Sequence, residues 1–259
     1  MFKLIFTFFI LLIISSNSYS QDRPFLFTNL PQYYSSNSFL RYEAAYGQQT
    51  FEPIGVDDFE QNAGLQSNIG KYFTTTDHLG IAFTNGETKL SYQAEMLANI
   101  FDGSENRIVD FMAGIGFLHE YSGTNVLMGR AIIGRQFTTW QVYSNLIFEH
   151  AFSVGRDPFD LMTTVGFSYN LSDDLKAGIE AVGQDLEGFW ESDEAEGGAT
   201  LYIGPSLNYT IPGTAFSITF GGGEIVRVTH SLRNSEAIRA LPYVNKNGFI
   251  IRDVISLGL

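Results

Sequence analysis

Trp140-Gln141-Val142-Tyr143-Ser144-Asn145-Leu146-Ile147-Phe148-Glu149 reads as a strand with two unlike faces. Every second residue is mostly apolar, and those between are mostly polar or small. Leu201-Tyr202-Ile203-Gly204-Pro205-Ser206-Leu207-Asn208-Tyr209-Thr210-Ile211 repeats the pattern. Side chains alternate across a strand with period two, so parity assigns each residue to a face. The alternation recurs in segment after segment from Phe39 almost to Leu259.

At the chain start, Met1-Phe2-Lys3 is a short basic opening and Leu4 to Ile14 an apolar run broken only by Thr7. Ser18-Tyr19-Ser20 then gives a small-x-small pattern. These features predict a signal peptide over residues 1–20 and a mature chain beginning near Gln21. The apolar run is too short for a spanning helix, which needs about 20 residues. No later stretch approaches that length, so any residence in a membrane uses strands. The absence of cysteine excludes disulfides, thiolate metal sites, a cysteine nucleophile and a lipidated N-terminal cysteine. With 28 acidic residues against 15 Lys and Arg, the formal net charge is −13 and nucleic-acid binding is not expected. Abundant Tyr, Phe and Gly with scarce Pro suit a single all-β domain.

Gln21 to Ser38, rich in Pro, Ser, Asn and Tyr, is expected to be an irregular periplasmic lead-in. Twelve candidate strands follow: 39–48, 65–73, 79–84, 88–101, 107–120, 125–137, 139–152, 160–171, 175–189, 199–211, 215–226 and 249–259. Gaps after even-numbered strands are mostly tight, as at Thr74–His78, Ser172–Asp174 and Pro212–Thr214. Gaps after odd-numbered strands include the long ones: Gln49–Gly64, Ser153–Phe159, Trp190–Gly198 and Arg227–Gly248. Asn85-Gly86-Glu87 is a short exception with a strong hairpin signal. A charge facing lipid at mid-membrane costs about 2–4 kcal/mol. The polar parity is therefore assigned to the lumen, with Asp253 an exception that either sits near a rim or pairs with Arg252.

Signal peptide, two loop classes and alternating strands together resemble bacterial outer-membrane β-barrel proteins of the porin and transporter kind, over roughly Phe39–Leu259. The final Val254-Ile255-Ser256-Leu257-Gly258-Leu259 looks like the closing strand that the barrel-insertion machinery recognises, although that family usually ends in Phe or Trp. The resemblance implies a closed antiparallel transmembrane β-barrel of about twelve strands, with short periplasmic turns, longer external loops and both termini periplasmic. It implies a Gram-negative outer-membrane location, outer-membrane lipid and the insertion machinery as partners, and no cofactor. The expected function is a passive channel or transporter for small solutes. The alternatives are a plugged structural or adhesive barrel working through its loops, an outer-membrane lipid hydrolase, or a soluble secreted barrel with its faces inverted around an apolar ligand.

Several residue sets carry candidate chemistry. Arg41, Glu43, Lys89, Glu95, Asp110, Arg130, Glu149, Lys176, Glu180 and Arg252 share the lumenal parity. They either line a polar conduit or pair across strands and fill the interior, since twelve strands lie between filled barrels of about eight and open ones of about 16–18. Gly114, Gly116, Gly166, Gly204 and Gly221 either let opposite side chains pack inward or leave space. The acidic loop holding Glu191, Asp193, Glu194 and Glu196 offers oxygen ligands for a divalent cation but lacks a calcium-loop spacing, and a solvated loop is the expectation. Phe189 and Trp190 suit interfacial anchoring. Arg227, His230, Arg233, Arg239 and Lys246 make the last long loop basic, as a lid or constriction or as a mobile loop touching lipid phosphates. For a hydrolase, His119 and His150 lie near Ser122, Ser153, Glu120 and Glu149 in sequence. Their outward parity suits anchoring better, and no enzyme is expected.

Overall fold

Each period-two segment pairs antiparallel with the next, and the last pairs with the first. The computed structural model describes residues 23–31, 38–47, 58–84, 86–101, 108–152, 159–190, 198–229 and 247–259. Its strands are β1 (Phe39–Gly47), β2 (Asp58–Ile69), β3 (Phe73–Thr84), β4 (Glu87–Phe101), β5 (Asp110–His119) and β6 (Asn125–Gln136). They continue as β7 (Trp140–Ala151), β8 (Phe159–Asn170), β9 (Leu175–Gln184), β10 (Thr200–Thr210), β11 (Phe216–Arg227) and β12 (Gly248–Gly258). The order around the closed sheet follows the sequence. At the seam, Phe39 lies opposite Gly258 and Gly47 opposite Ile250. Closure leaves no exposed strand edge, so every strand has hydrogen-bonded neighbours on both sides.

The second, third and ninth strands depart most from the sequence expectation. β2 starts at Asp58, within the expected loop Gln49–Gly64, and the following turn is Gly70–Tyr72, earlier than the expected Thr74–His78. Gly70 adopts φ +62°, a left-handed conformation glycine takes without steric cost. Thr74, Thr75 and Thr76 are β-branched and belong to β3. Outside the barrel, Phe59 stacks on Phe83 at 6.3 Å across β2 and β3. β9 stops at Gln184, where Asp185 turns left-handed at φ +51° into a single 3-10 turn, Leu186–Phe189. The Glu187 carboxylate there accepts the Leu161 N–H at 3.0 Å, above the point where the β8–β9 ladder begins at Thr163.

The two faces are now assigned. Leu90, Tyr92, Met96, Ile115, Phe117, Phe148, Phe167, Ile179, Leu207 and Phe220 are exposed on the outside, and similar residues continue round the barrel. Monomeric soluble proteins seldom expose more than a few hundred Å² of contiguous apolar surface; an apolar belt round the whole circumference meets lipid. The inverted, soluble barrel is thereby set aside. Aromatics mark the belt's ends: Phe137 stacks on Trp140 at 3.8 Å at the short-turn end, and Phe189 and Trp190 are exposed at the other.

Asp253 stands midway along β12, opposite Ala44 and Phe220, and faces outward while Arg252 turns inward. Neither expected explanation, a rim position or a pair with Arg252, describes this placement, because adjacent strand residues point to opposite faces. Asp253→Val is expected to stabilise the barrel by about 1–2 kcal/mol, read as a higher urea midpoint in lipid vesicles. An unchanged or lower midpoint would mean that Asp253 does not meet lipid.

The core lies inside the barrel. Leu97, Met112, Ile132 and Tyr143 form one buried cluster with Phe25, and Leu118, Val126, Met128, Ile147, Met162, Tyr202 and Ile225 belong to another with Leu26 and Phe27.

Candidate functional site

Residues 23–31 run through the interior. Phe25, Leu26, Phe27 and Thr28 are buried, and their partners are inward side chains near mid-height on strands all round the barrel. The lead-in is expected to be irregular and periplasmic; its residues 23–31 form no strand, and 23–28 are buried within the barrel. The stretch Phe25-Leu26-Phe27 is apolar enough to gain by leaving water, and the lumen offers it both apolar walls and hydrogen-bond partners.

Glu180 of β9 anchors the segment. Its carboxylate accepts three consecutive N–H groups, from Leu26 at 2.6 Å, Phe27 at 3.1 Å and Thr28 at 2.9 Å. Asn145 of β7 takes the Asn29 N–H at 3.0 Å and donates to the Asn29 carbonyl at 3.0 Å. Ser206 of β10 donates to the Pro24 carbonyl at 3.2 Å, and Thr219 of β11 to the Arg23 carbonyl at 3.3 Å. The strands' own N–H and C=O groups are spent in the ladders, so side chains must satisfy the buried main chain of the segment.

Side chains of the segment are seated as well. Arg23 pairs with Glu43 of β1 at 2.9 Å and bonds Asn29. Glu43 also pairs with Arg252 of β12, whose other terminal nitrogen lies 3.8 Å from Glu60 of β2. Phe27 packs edge-on against Tyr202 at 5.0 Å, with the Arg252 guanidinium 5.0 Å from its ring centre. Phe25 lies over Gly166, where an added Cβ would come within 2.8 Å of its ring. At Gly221 a Cβ would meet Leu26 at 3.0 Å and the Pro205 carbonyl oxygen at 2.3 Å. These glycines therefore admit the segment.

The other lumenal candidates also lie inside. Arg130 meets Glu95 at 2.9 Å and Asn145 at 3.2 Å. Asp110 accepts the Tyr143 hydroxyl at 2.7 Å. Glu149 is buried directly across from Asp160, and Arg41 is buried opposite Ser256 and Gly64. Lys89 and Lys176 lie inward near opposite ends, both half-buried, with Lys89 4.0 Å from Glu87. Tyr121, from the connection between β5 and β6, reaches in to bond Asn62 at 3.1 Å, and Asn62 bonds Glu60.

The sequence reading missed Asn145, Ser206, Thr219, Asn62 and the segment itself. A signal was present: Leu97, Met112, Ile132, Met162 and Ile225 occupy lumenal parity, where a water-filled pore has no use for them. Glu191, Asp193, Glu194 and Glu196 lie outside the described residues, as do residues 1–20 and His230, Arg233, Arg239 and Lys246 of the basic loop. Arg227 is described, and its guanidinium donates to the Thr229 carbonyl at 3.2 Å. His119 Nδ1 lies 2.8 Å from Asn125 Oδ1, and Ser122 donates to Glu120 at 2.6 Å. His150 faces outward with its ring 4.9 Å from those of Phe152 and Phe159. His119 and Ser122 thus bond other groups, and Ser153 is outside the described residues.

No protein-family model matches the chain, and no curated protein matches its sequence. Solved structures match by shape. A KdgM porin in complex with disordered oligogalacturonate superposes with a TM-score of 0.55 at 10% identity, over 85% of this chain and 99% of that one. The NanC porin superposes with a TM-score of 0.59 at 8% identity, over 85% of this chain and 100% of that one. At such identities the likeness establishes the fold, which is that of outer-membrane porin barrels. Fold and apolar exterior together point to the outer membrane.

Proposed function

We propose that this chain is an integral outer-membrane barrel that passes small solutes passively, and that its own residues 23–31 hold the path shut. The observation that carries this reading is how the segment is held. Hydrogen bonds, ion pairs and ring contacts fix it, and no covalent bond beyond its own chain does. Such contacts can be exchanged for water or solute. Once the segment leaves, Arg41, Glu43, Glu95, Arg130, Glu180 and Arg252 face the path, as charged residues do in selective pores. The signal peptide at 1–20 and periplasmic termini belong to the same reading. Ser38 and Leu259 meet at the short-turn end, where the Leu259 N–H bonds the Ser38 carbonyl at 2.8 Å.

A second reading is a permanently filled barrel whose external loops are its working surface, and the depth at which Phe25 to Thr28 are buried favours it. Planar-bilayer recordings of the full chain and of a chain lacking residues 23–31 separate the two. The channel reading expects rare openings from the full chain and sustained discrete steps from the truncated one. Silence from both, each shown to be folded by heat-modifiable migration on a gel, would establish the filled barrel.

A further inference from the structure

The lumen reads the main chain of its occupant. Glu180, Asn145, Ser206 and Thr219, on four different strands, make seven hydrogen bonds to backbone atoms of Arg23, Pro24, Leu26, Phe27, Thr28 and Asn29. Those atoms are common to every peptide. When the segment leaves, Glu180 loses three N–H donors and Glu43 loses the Arg23 guanidinium. The pockets vacated by Phe25 and Phe27 are walled by Leu97, Met112 and Tyr202. A replacement ligand must bring consecutive N–H groups, a cation and apolar rings. A carbohydrate brings neither the N–H row nor the rings, and an anionic solute meets the Glu180 carboxylate where the segment presents its N–H groups, while Arg252 stays paired with Glu43 and near Glu60.

We propose that the lumen is a binding site for short peptides, that residues 23–31 are its resident occupant, and that the barrel's solutes are peptides with a basic residue two positions before an aromatic one. This assignment rests on the channel reading and names its solute class. The spacing is that of Arg23, Phe25 and Phe27, which places the cation at Glu43 while the following N–H groups reach Glu180.

The test uses the chain lacking residues 23–31 in planar bilayers, with a synthetic peptide of residues 23–31 as the probe. The peptide should block the current in a concentration-dependent way. N-methylation at Leu26, Phe27 and Thr28 should raise the blocking concentration at least tenfold, and so should Arg23→Glu in the peptide. An unrelated peptide with the same basic and aromatic spacing should block within tenfold of the parent, and oligogalacturonate should not compete. Equal block by the N-methylated peptide, or stronger block by oligogalacturonate, overturns the peptide assignment and leaves the channel intact. An absence of current before any peptide is added strikes the channel reading instead. If the truncated chain does not fold, the full chain carrying R23E and F25D loosens the occupant while keeping the site. Binding of fluorescent peptide to that variant, measured by anisotropy, then decides between the same outcomes.

Discussion

Glu180→Ala is expected to raise the conducting fraction of the full-length barrel by about a hundredfold. One carboxylate satisfies three buried N–H groups of the segment, and hydrogen bonds to charged groups are worth about 1.5–3 kcal/mol each. Water entering the space left by the side chain restores part of this. The buried carboxylate also gives back its own desolvation cost. Taking only about 3 kcal/mol as the net loss still shifts a closed-to-open ratio by about two powers of ten. Glu180→Gln keeps one carbonyl oxygen as an acceptor and should fall between the parent and the alanine variant. Open probability in planar bilayers is the measurement. If Glu180→Ala opens no more often than the parent, residues 23–31 do not gate the path.

The second large effect falls on the seam. Glu43 joins β1 to β12 through Arg252 and joins both to the segment through Arg23, and all three side chains are buried. Removing one member of a buried ion pair costs about 3–5 kcal/mol, because the remaining charge is left without compensation. Glu43→Ala leaves two guanidinium groups to share what remains, Glu60 standing 3.8 Å from one of them. The barrel should then lose its heat-resistant gel migration at a distinctly lower temperature, and its open probability should rise in parallel. Glu180→Ala, which touches no seam contact, should raise open probability with a much smaller thermal effect. A Glu43→Ala barrel as heat-resistant as the parent would show that the pair contributes nothing net to closure.

Local periodicity carried most of the architecture. Parity alone assigns Glu43, Glu95, Arg130, Glu180 and Arg252 to the inner face, because alternation is a property of neighbouring residues. The turn at Gly70 was misplaced because Asp58-Phe59-Glu60-Gln61-Asn62 contains few strong strand formers. Its pairing draws on tertiary partners such as Phe83 and Arg252. The filling of the lumen was less legible still. Residues 23–31 have no period, and each of their bonds to the barrel is a matter of distant sequence. What the chain did display was a contradiction: residues such as Met112 and Ile132 at positions assigned to a polar conduit. Gly166 and Gly221 marked the same place, although a glycine alone does not say what approaches it.

The separations between the segment and its seat order the assembly of the barrel. The Arg23 carbonyl is held 196 residues further along the chain, that of Pro24 182 residues on, and the Leu26 N–H 154 residues on. Bringing such distant points together is entropically slow and waits on the elements that supply the partners. Residues 23–31 precede every strand in the chain, yet Glu180, Ser206, Thr219 and Arg252 belong to the last four. A nascent barrel is therefore open until its final strand meets its first. Docking of residues 23–31 marks completion, and the segment that precedes every strand is the last to find its place.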